Sequence, residues 1–324
     1  MLIYIYIYIY HCLSFFQGGT PSLIMNPNLF FWNVRGLNEQ DKHRPFVQWL
    51  SVHKPLIGAI LESHIKEPNL NSLLLRVCPD WSFVSNHDTD ADGRIIIIWK
   101  HPATVQMMHQ TRQSITCSVT IPSLPAIMFT AVYAANTREE RCTLWDDLHE
   151  VQSTLFLENR NWIIGGDFNQ ITHHEEHSSA AVDHLTTDMI EMKDHLLSSG
   201  VSDLRFQGSS HTWTNKTPTM PITKKLDRAL VNDLWIESFP DSIATFLPHE
   251  FSDHTPCLLT LSCPLPTPGT RPFKFFNFLT THPSFLRIVE IAWIQNGSRA
   301  TDLSHLGYIH WTAHLLRHFR LKKK

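Results

Sequence analysis

Trp162-Ile163-Ile164-Gly165-Gly166-Asp167-Phe168-Asn169 is the stretch that decides the fold. Its apolar start does not alternate with polar residues, which marks a strand covered on both faces. Gly165 and Gly166 permit close backbone approach or positive φ. They deliver Asp167 and Asn169 where the strand meets a rim, and there Asn169 could orient a phosphate oxygen or a water. Taken alone, the pair also fits an ordinary strand-ending turn. The same design recurs along the chain. Asn33 sits in the run Leu29–Val34, Glu62 follows Leu56–Leu61, Tyr133 ends the run 126–134, Asp227 lies in 226–231, and Asp253-His254 precede 256–261. Strand ends that converge on one rim bring such residues into one site. Several carboxylates, an Asn and a His together suit metal-assisted cleavage of phosphate esters.

Between these strands the periodicity predicts helices over 41–52, with Phe46, Val47 and Leu50 on one face, and over 69–76, 138–157 and 188–198. Further strands are expected over 81–85 and 93–99. A hairpin is expected over 114–121 and 126–134, broken by Pro122 and Pro125, and another strand over 243–247. Many strands with few intervening helices point to an α+β fold of two packed, mostly antiparallel sheets with helices outside. Strict strand–helix alternation is absent, so a doubly wound parallel sheet fits less well.

The 324 residues are 43% hydrophobic and 18% charged, with a net charge of −3. That length suits one large domain with tails: an N-terminal extension over 1–24, the domain over 25–263, and a Pro-rich linker and tail over 264–324. Without a global basic excess, nucleic-acid binding has to come from a local patch. The cysteines at 12, 78, 117, 142, 257 and 263 form no Cys-x-x-Cys pair and are expected to be reduced thiols of an intracellular protein. No apolar run reaches the length of a membrane span. The alternating Ile-Tyr tract over 3–10 lacks a basic n-region and a small-x-small cleavage site. It reads as an upstream extension of the reading frame rather than a signal peptide.

Each candidate has its own chemistry. Glu62 could anchor Mg²⁺, which takes one or two direct carboxylates and fills its octahedron with water and phosphate. His254 is the side chain suited to handling a proton near neutral pH, and Asp227 could fix its tautomer. Asn33 and Tyr133 could hydrogen-bond a carboxylate or phosphate, and Arg94 could face a phosphate or cap the sheet. Neither a phosphate-binding Gly-rich loop with Lys-Ser/Thr nor His-Glu-x-x-His is present. The run His173-His174-Glu175-Glu176-His177 looks metal-like, but adjacent residues rarely share one ligand face, and loop polarity explains it more simply.

In order, Trp32-Asn33-Val34-Arg35-Gly36-Leu37, Leu61-Glu62-Ser63-His64, Val132-Tyr133, Gly166-Asp167-Phe168-Asn169, Lys225-Leu226-Asp227-Arg228 and Ser252-Asp253-His254 resemble the endonuclease/exonuclease/phosphatase superfamily. The match covers about residues 28–262. Gly93-Arg94, Arg141 with Leu144-Trp145, His211-Thr212-Trp213-Thr214-Asn215, the run from Lys225 to Asn232, and Arg271-Pro272-Phe273-Lys274-Phe275-Phe276-Asn277 narrow it. They are similar to the endonuclease domain of plant LINE-type (non-LTR) retrotransposons. Ser63 replaces the Thr common after the Glu.

The resemblance implies a four-layer α/β/β/α sandwich and a nuclear, Mg²⁺-dependent (or Mn²⁺-dependent) DNA endonuclease that leaves a 3′-hydroxyl. It is expected to be a monomer, with a reverse transcriptase downstream in the parent element. By the same resemblance Glu62 binds the metal, with Asn33 and Asp253. Asp167 aligns or activates water, and Asn169 holds it or the phosphate. His254, oriented by Asp227, stabilises the phosphoryl oxygens or assists proton transfer, and Tyr133 contacts the phosphate or leaving oxygen. Arg35, Arg94, Lys224, Lys225 and Arg228 are expected to meet backbone phosphates. A phosphatase or another phosphodiesterase of the superfamily, and a silent retroelement fragment, are the alternatives.

Overall fold

Leu29 and Phe31 turn to one side of their strand while Phe30 and Trp32 turn to the other, and all four are buried. A strand that is apolar on both faces needs a layer on each. The computed structural model, which describes residues 27–179, 181–261 and 287, supplies them. The chain divides into two units, 1–265 and 266–324; in the second only Arg287, in helical conformation, is described. The 1–24 extension with its Ile-Tyr tract, and the expected linker and tail apart from Arg287, lie outside the described residues.

In chain order the elements are β1 (Asn28–Asn33), α1 (His43–His53), β2 (Pro55–Leu61), α2 (Glu67–Val77), β3 (Ser82–Ser85), β4 (Ile95–Trp99), β5 (Thr104–Gln110), β6 (Ser114–Thr120), β7 (Ile127–Tyr133), α3 (Arg138–Leu155), β8 (Asn161–Asp167), α4 (Thr187–Ser198), β9 (Ser202–Asp203), β10 (Phe206–Gly208), β11 (Trp213–Thr214), β12 (Thr223–Lys224), β13 (Asp227–Val231), α5 (Asp233–Ser238), β14 (Ile243–Phe246) and β15 (Cys257–Thr260). A seven-stranded sheet runs β10-β14-β15-β1-β2-β4-β3, and a six-stranded sheet runs β5-β6-β7-β8-β13-β9. Most pairings are antiparallel, but β1–β2, β7–β8 and β10–β14 are parallel. The expected α/β/β/α sandwich is the observed architecture.

The inter-sheet layer holds Phe31, Ile57, Ile97, Cys117, Phe129, Ile163 and Leu259, with the rings of Phe31 and Phe129 stacked at 4.6 Å. The opposite face of the first sheet packs Phe30, Trp32, Ile60 and Ile96 on Phe46 and Trp49 of α1 and Leu70 and Leu74 of α2. The second sheet packs Trp162, Ile164 and Leu230 on Leu144, Trp145 and Leu148 of α3. Each such side chain removed from water contributes roughly 1.5–3 kcal/mol. Gly165 is required by this packing, since a Cβ there would lie 2.3 Å from the Phe31 ring.

One expectation needs correction, and one strand lies where none is expected. On α1 the buried residues are Phe46, Trp49 and Leu50, while Val47 is 42% exposed. Phe46, Trp49 and Leu50 are spaced i, i+3, i+4 and share one face of α1, which leaves Val47 about 100° round the helix from Phe46. β5 went unread because Thr104–Gln110 is a half-exposed edge strand whose polar residues hide the period of two. The two- and three-residue strands β9 to β12, and the short α5, are below the length at which periodicity speaks.

Strand direction sets the site. The C-terminal ends of β1, β2, β7 and β8 meet the beginnings of β13 and β15 at one rim. Register places Asn33 beside Leu61, Tyr133 beside Asp167, and Asp227 across from Asp167.

Candidate active site

Gly166, at φ +132°, has no room for a side chain; a Cβ would meet the Val132 carbonyl oxygen at 2.1 Å. That backbone lets β8 end with Asp167 fully buried. Its Oδ1 accepts the Asn169 N–H at 2.9 Å, and its Oδ2 accepts the Asn33 amide at 2.9 Å. Across the sheet, Asp227 opens β13 with its backbone N–H on the Thr212 hydroxyl at 2.9 Å. Its Oδ2 takes His254 Nδ1 at 2.9 Å, and His254 Nε2 lies 3.6 Å from Asp167 Oδ2. The imidazole is therefore clamped between two buried carboxylates. Ser252 fixes its backbone by donating to the Asn33 carbonyl at 2.7 Å and accepting the His254 N–H at 3.2 Å.

The electrostatics follow from this burial. Burial pushes the Asp167 carboxyl up, to about 6, although His254 pulls the other way; the nearby Asp227 charge adds to the rise. For His254 burial favours the neutral ring, but Asp227 and then Asp167 outweigh it and raise its pKa to about 9. At neutral pH the imidazole is thus a charged double donor. Burial, followed by the charges of Glu62 and Asp167, pushes the Tyr133 phenol well above its ordinary range and keeps it protonated.

A second group of residues stands at the rim. Arg35, Glu62, His64 and Asn169 all have positive φ, at 52°, 51°, 52° and 49°. Such conformations cost non-glycine residues free energy and cluster at functional sites. Glu62 Oε2 accepts the Asn33 amide at 3.0 Å, so one amide group joins Glu62 to Asp167. Asn33 Oδ1 is taken by the Arg35 N–H at 3.0 Å, so the NH₂ faces the carboxylates. His64 Nε2 lies 3.2 Å from Glu62 Oε1. Asp253 Oδ2 accepts Trp213 Nε1 at 3.0 Å and Arg35 Nη1 at 2.6 Å.

All the candidates thus belong to one rim, in two shells of different burial. Arg94 is the most loosely attached. Its guanidinium lies 5.8 Å from the Tyr133 ring centroid and pairs with Asp90 at 3.4 Å and Asp92 at 3.6 Å. Asn169 is anchored by its amide on the Ala134 carbonyl at 2.7 Å.

Two of the cations expected to reach DNA do not. Arg228 is fully buried, paired with Asp203 at 2.7 Å and with Glu176, and Lys225 is buried beside the same two acids. They face the loop over 171–177 on the far side of β13. Glu176 is thereby consumed, which accounts for the His-Glu run as a structural loop. Sequence reasoning gave no role to Thr212, Trp213, Ser252 or Arg141. Buried Arg141 ties the carbonyls of Ala135, Asn136 and Asn169 together. Only the surroundings of each residue reveal these contacts.

The donor set fits a hard divalent cation. Asp167, Asp227 and His254 place one ligand atom each within 4.8 Å of one another. Within that group His254 already spends Nδ1 on Asp227 Oδ2, and its Nε2 lies beside Asp167 Oδ2 and the Asn33 amide. Glu62 and Asp253, with side chains 14% and 12% exposed, offer oxygen at the open side.

A sequence model described as the Endonuclease/Exonuclease/phosphatase family matches residues 30–254. No curated protein matches the sequence. Among solved structures, the chain is similar to the endonuclease domain of TRAS1, a telomere-specific non-LTR retrotransposon. The TM-score is 0.57 and the identity 11%, over 74% of this chain and 100% of that one. It is similar to the 3′-5′ exonuclease NExo from Neisseria meningitidis, with TM-score 0.55 and 16% identity, over 73% and 100%. An AP endonuclease from Archaeoglobus fulgidus gives TM-score 0.54 and 15% identity, over 72% and 98%. These likenesses are of fold.

Proposed function

The chain belongs to the endonuclease/exonuclease/phosphatase family, and from that premise we propose that it is a divalent-metal-dependent DNA endonuclease of retrotransposon type. The observation that carries the reading is one unbroken line of side chains. Asp227, His254, Asp167, Asn33 and Glu62 run from the buried floor of the site to its rim at hydrogen-bond or ion-pair distances. The retrotransposon-like motif order, and the fold shared with a retrotransposon endonuclease domain, support the choice of substrate.

The reaction is attack of water on a backbone phosphorus with rupture of the P–O3′ bond, which leaves a 3′-hydroxyl and a 5′-phosphate. Asp167, whose buried carboxyl is held above the ordinary carboxylate range and so suits a proton acceptor, aligns the water and takes its proton. Asn169, pinned beside it, holds the water or the scissile phosphate. The charged His254 donates to a non-bridging oxygen as negative charge builds there, and Asp227 keeps the ring oriented and protonated. Tyr133, held as a neutral phenol, donates to the phosphate or the leaving oxygen. Glu62 and Asp253, with Asn33 beside them, would hold Mg²⁺ or Mn²⁺, which when bound neutralises phosphoryl charge as a Lewis acid. Arg94 stands where it could exchange its loop acids for a phosphate. The parent element would carry a reverse transcriptase downstream, and the domain over 25–263 would act as a monomer in the nucleus.

Nicking of supercoiled plasmid by the full chain tests this. The expected result is open-circle DNA with Mg²⁺, none with chelator, and nicks that a polymerase can extend. Release of phosphate from an inositol polyphosphate without nicking would move the protein to the phosphatase branch.

A further inference from the structure

Arg35 differs from every other residue at the rim in how it is held. Its backbone is fixed: the N–H donates to Asn33 Oδ1 at 3.0 Å, Lys42 Nζ binds its carbonyl, and the next residue's N–H donates to the Glu62 carbonyl at 2.7 Å. Its side chain is 52% exposed and reaches back over the site. There one guanidinium spans two carboxylates, 2.6 Å from Asp253 Oδ2 and 4.0 Å from Glu62 Oε1. These are the two oxygen-bearing side chains assigned above to the cation.

Resting on that assignment, we propose that Arg35 is an internal counter-cation. Its guanidinium holds the two rim carboxylates together before metal binds. A divalent cation has to displace it, and the displaced side chain then takes a phosphate oxygen of the DNA backbone. Four features support this. The neutral donors on the same carboxylates, Asn33 on Glu62 and Trp213 on Asp253, sit on paired strands and stay when Arg35 leaves. Arginine stays charged at any working pH, so the competition is for position and not for a proton. Its planar fork suits a phosphate as well as a carboxylate, so the exchange keeps its hydrogen bonds satisfied. The left-handed backbone at φ +52° fixes where the side chain starts and leaves its end free to swing.

The proposal makes two opposite predictions for Arg35→Gln in the full chain. Mn²⁺ affinity, read by the electron paramagnetic resonance of free Mn²⁺, should rise about three- to fivefold, the size an ion pair half open to water carries. In a His254→Ala background that prevents cleavage, affinity for a duplex oligonucleotide with Mn²⁺ present should fall, and its salt slope should drop by about one. Arg35→Lys, which keeps the charge but not the fork, should lie between in both. General damage to the site would weaken both affinities together and would overturn the proposal. So would Mn²⁺ affinity unchanged by Arg35→Gln when Glu62→Gln lowers it. Unchanged DNA affinity would overturn the phosphate half alone. If Glu62→Gln leaves Mn²⁺ binding intact, the assignment of the cation site itself fails, and this inference fails with it.

Discussion

Asp167 and Glu62 are both carboxylates at the ends of parallel strands, one in each sheet, joined by a single Asn33 amide, yet they lie in different worlds. Asp167, Asp227 and His254 have side chains 2–4% exposed, and paired strands set their spacing. Glu62 and Asp253 stand in loops, partly open to water, and their partner Arg35 is half exposed. The contrast separates two tasks. A buried line can hold a proton arrangement against the solvent, because a low dielectric strengthens every interaction within it. An open rim can exchange one cation for another, because water lowers the cost of each departure.

If the division holds, the buried line should be the more sensitive to substitution. Asp167→Ala should lower the nicking rate about 10²–10⁴-fold, the range for loss of a positioned proton acceptor, and added metal should not restore it. Rescue by Mg²⁺ would break the distinction.

Stability against pH sharpens it next. His254 has a folded pKa raised above that of a free imidazole. Its contribution is therefore fully present below about pH 6.5 and lost as pH rises through about 9. Urea unfolding in chelator should show a loss of up to roughly 3 kcal/mol across that window, and Asp227→Asn should flatten it. An unchanged slope in the variant would mean that the clamp on the ring does not govern its charge.

At the rim, Glu62→Gln should raise the Mg²⁺ concentration for half-maximal nicking by about 10- to 100-fold, the scale of weakened metal sites. Activity at saturating metal should recover in part. Trp213→Phe, which removes one donor from Asp253, should show the smallest effect, a shift of about fivefold in the same metal midpoint, as expected for a net hydrogen bond of roughly 1 kcal/mol.

The sequence was most legible where chemistry and burial coincide. The buried runs of β1, β2 and β8 lead into Asn33, Glu62 and Asp167, and Asp227 opens the run of β13, so both the fold and these residues could be placed from the order of letters. Partners across the sheets could not. Nothing in the letters Asp227-Arg228 says that the first residue turns to His254 and the second to a buried cluster with Asp203 and Glu176; alternation predicts opposite faces but not which is which. The polar residues of edge strand β5 hide its period of two, and the buried face of α1 is the i, i+3, i+4 set Phe46, Trp49 and Leu50, which excludes Val47. Arg35 could be read as a basic residue near the site, but its position over two acids depends on a left-handed backbone that sequence does not announce.

The central claim is that the Asp227–His254–Asp167 line performs the hydrolysis. Nicking of supercoiled plasmid by wild type and His254→Ala, at saturating Mg²⁺ and equal folded concentration, tests it most directly. The account predicts nicking by the wild type, with extendable 3′-hydroxyl ends, and a rate at least about 10²-fold lower in the variant. Equal nicking by the two proteins would contradict it.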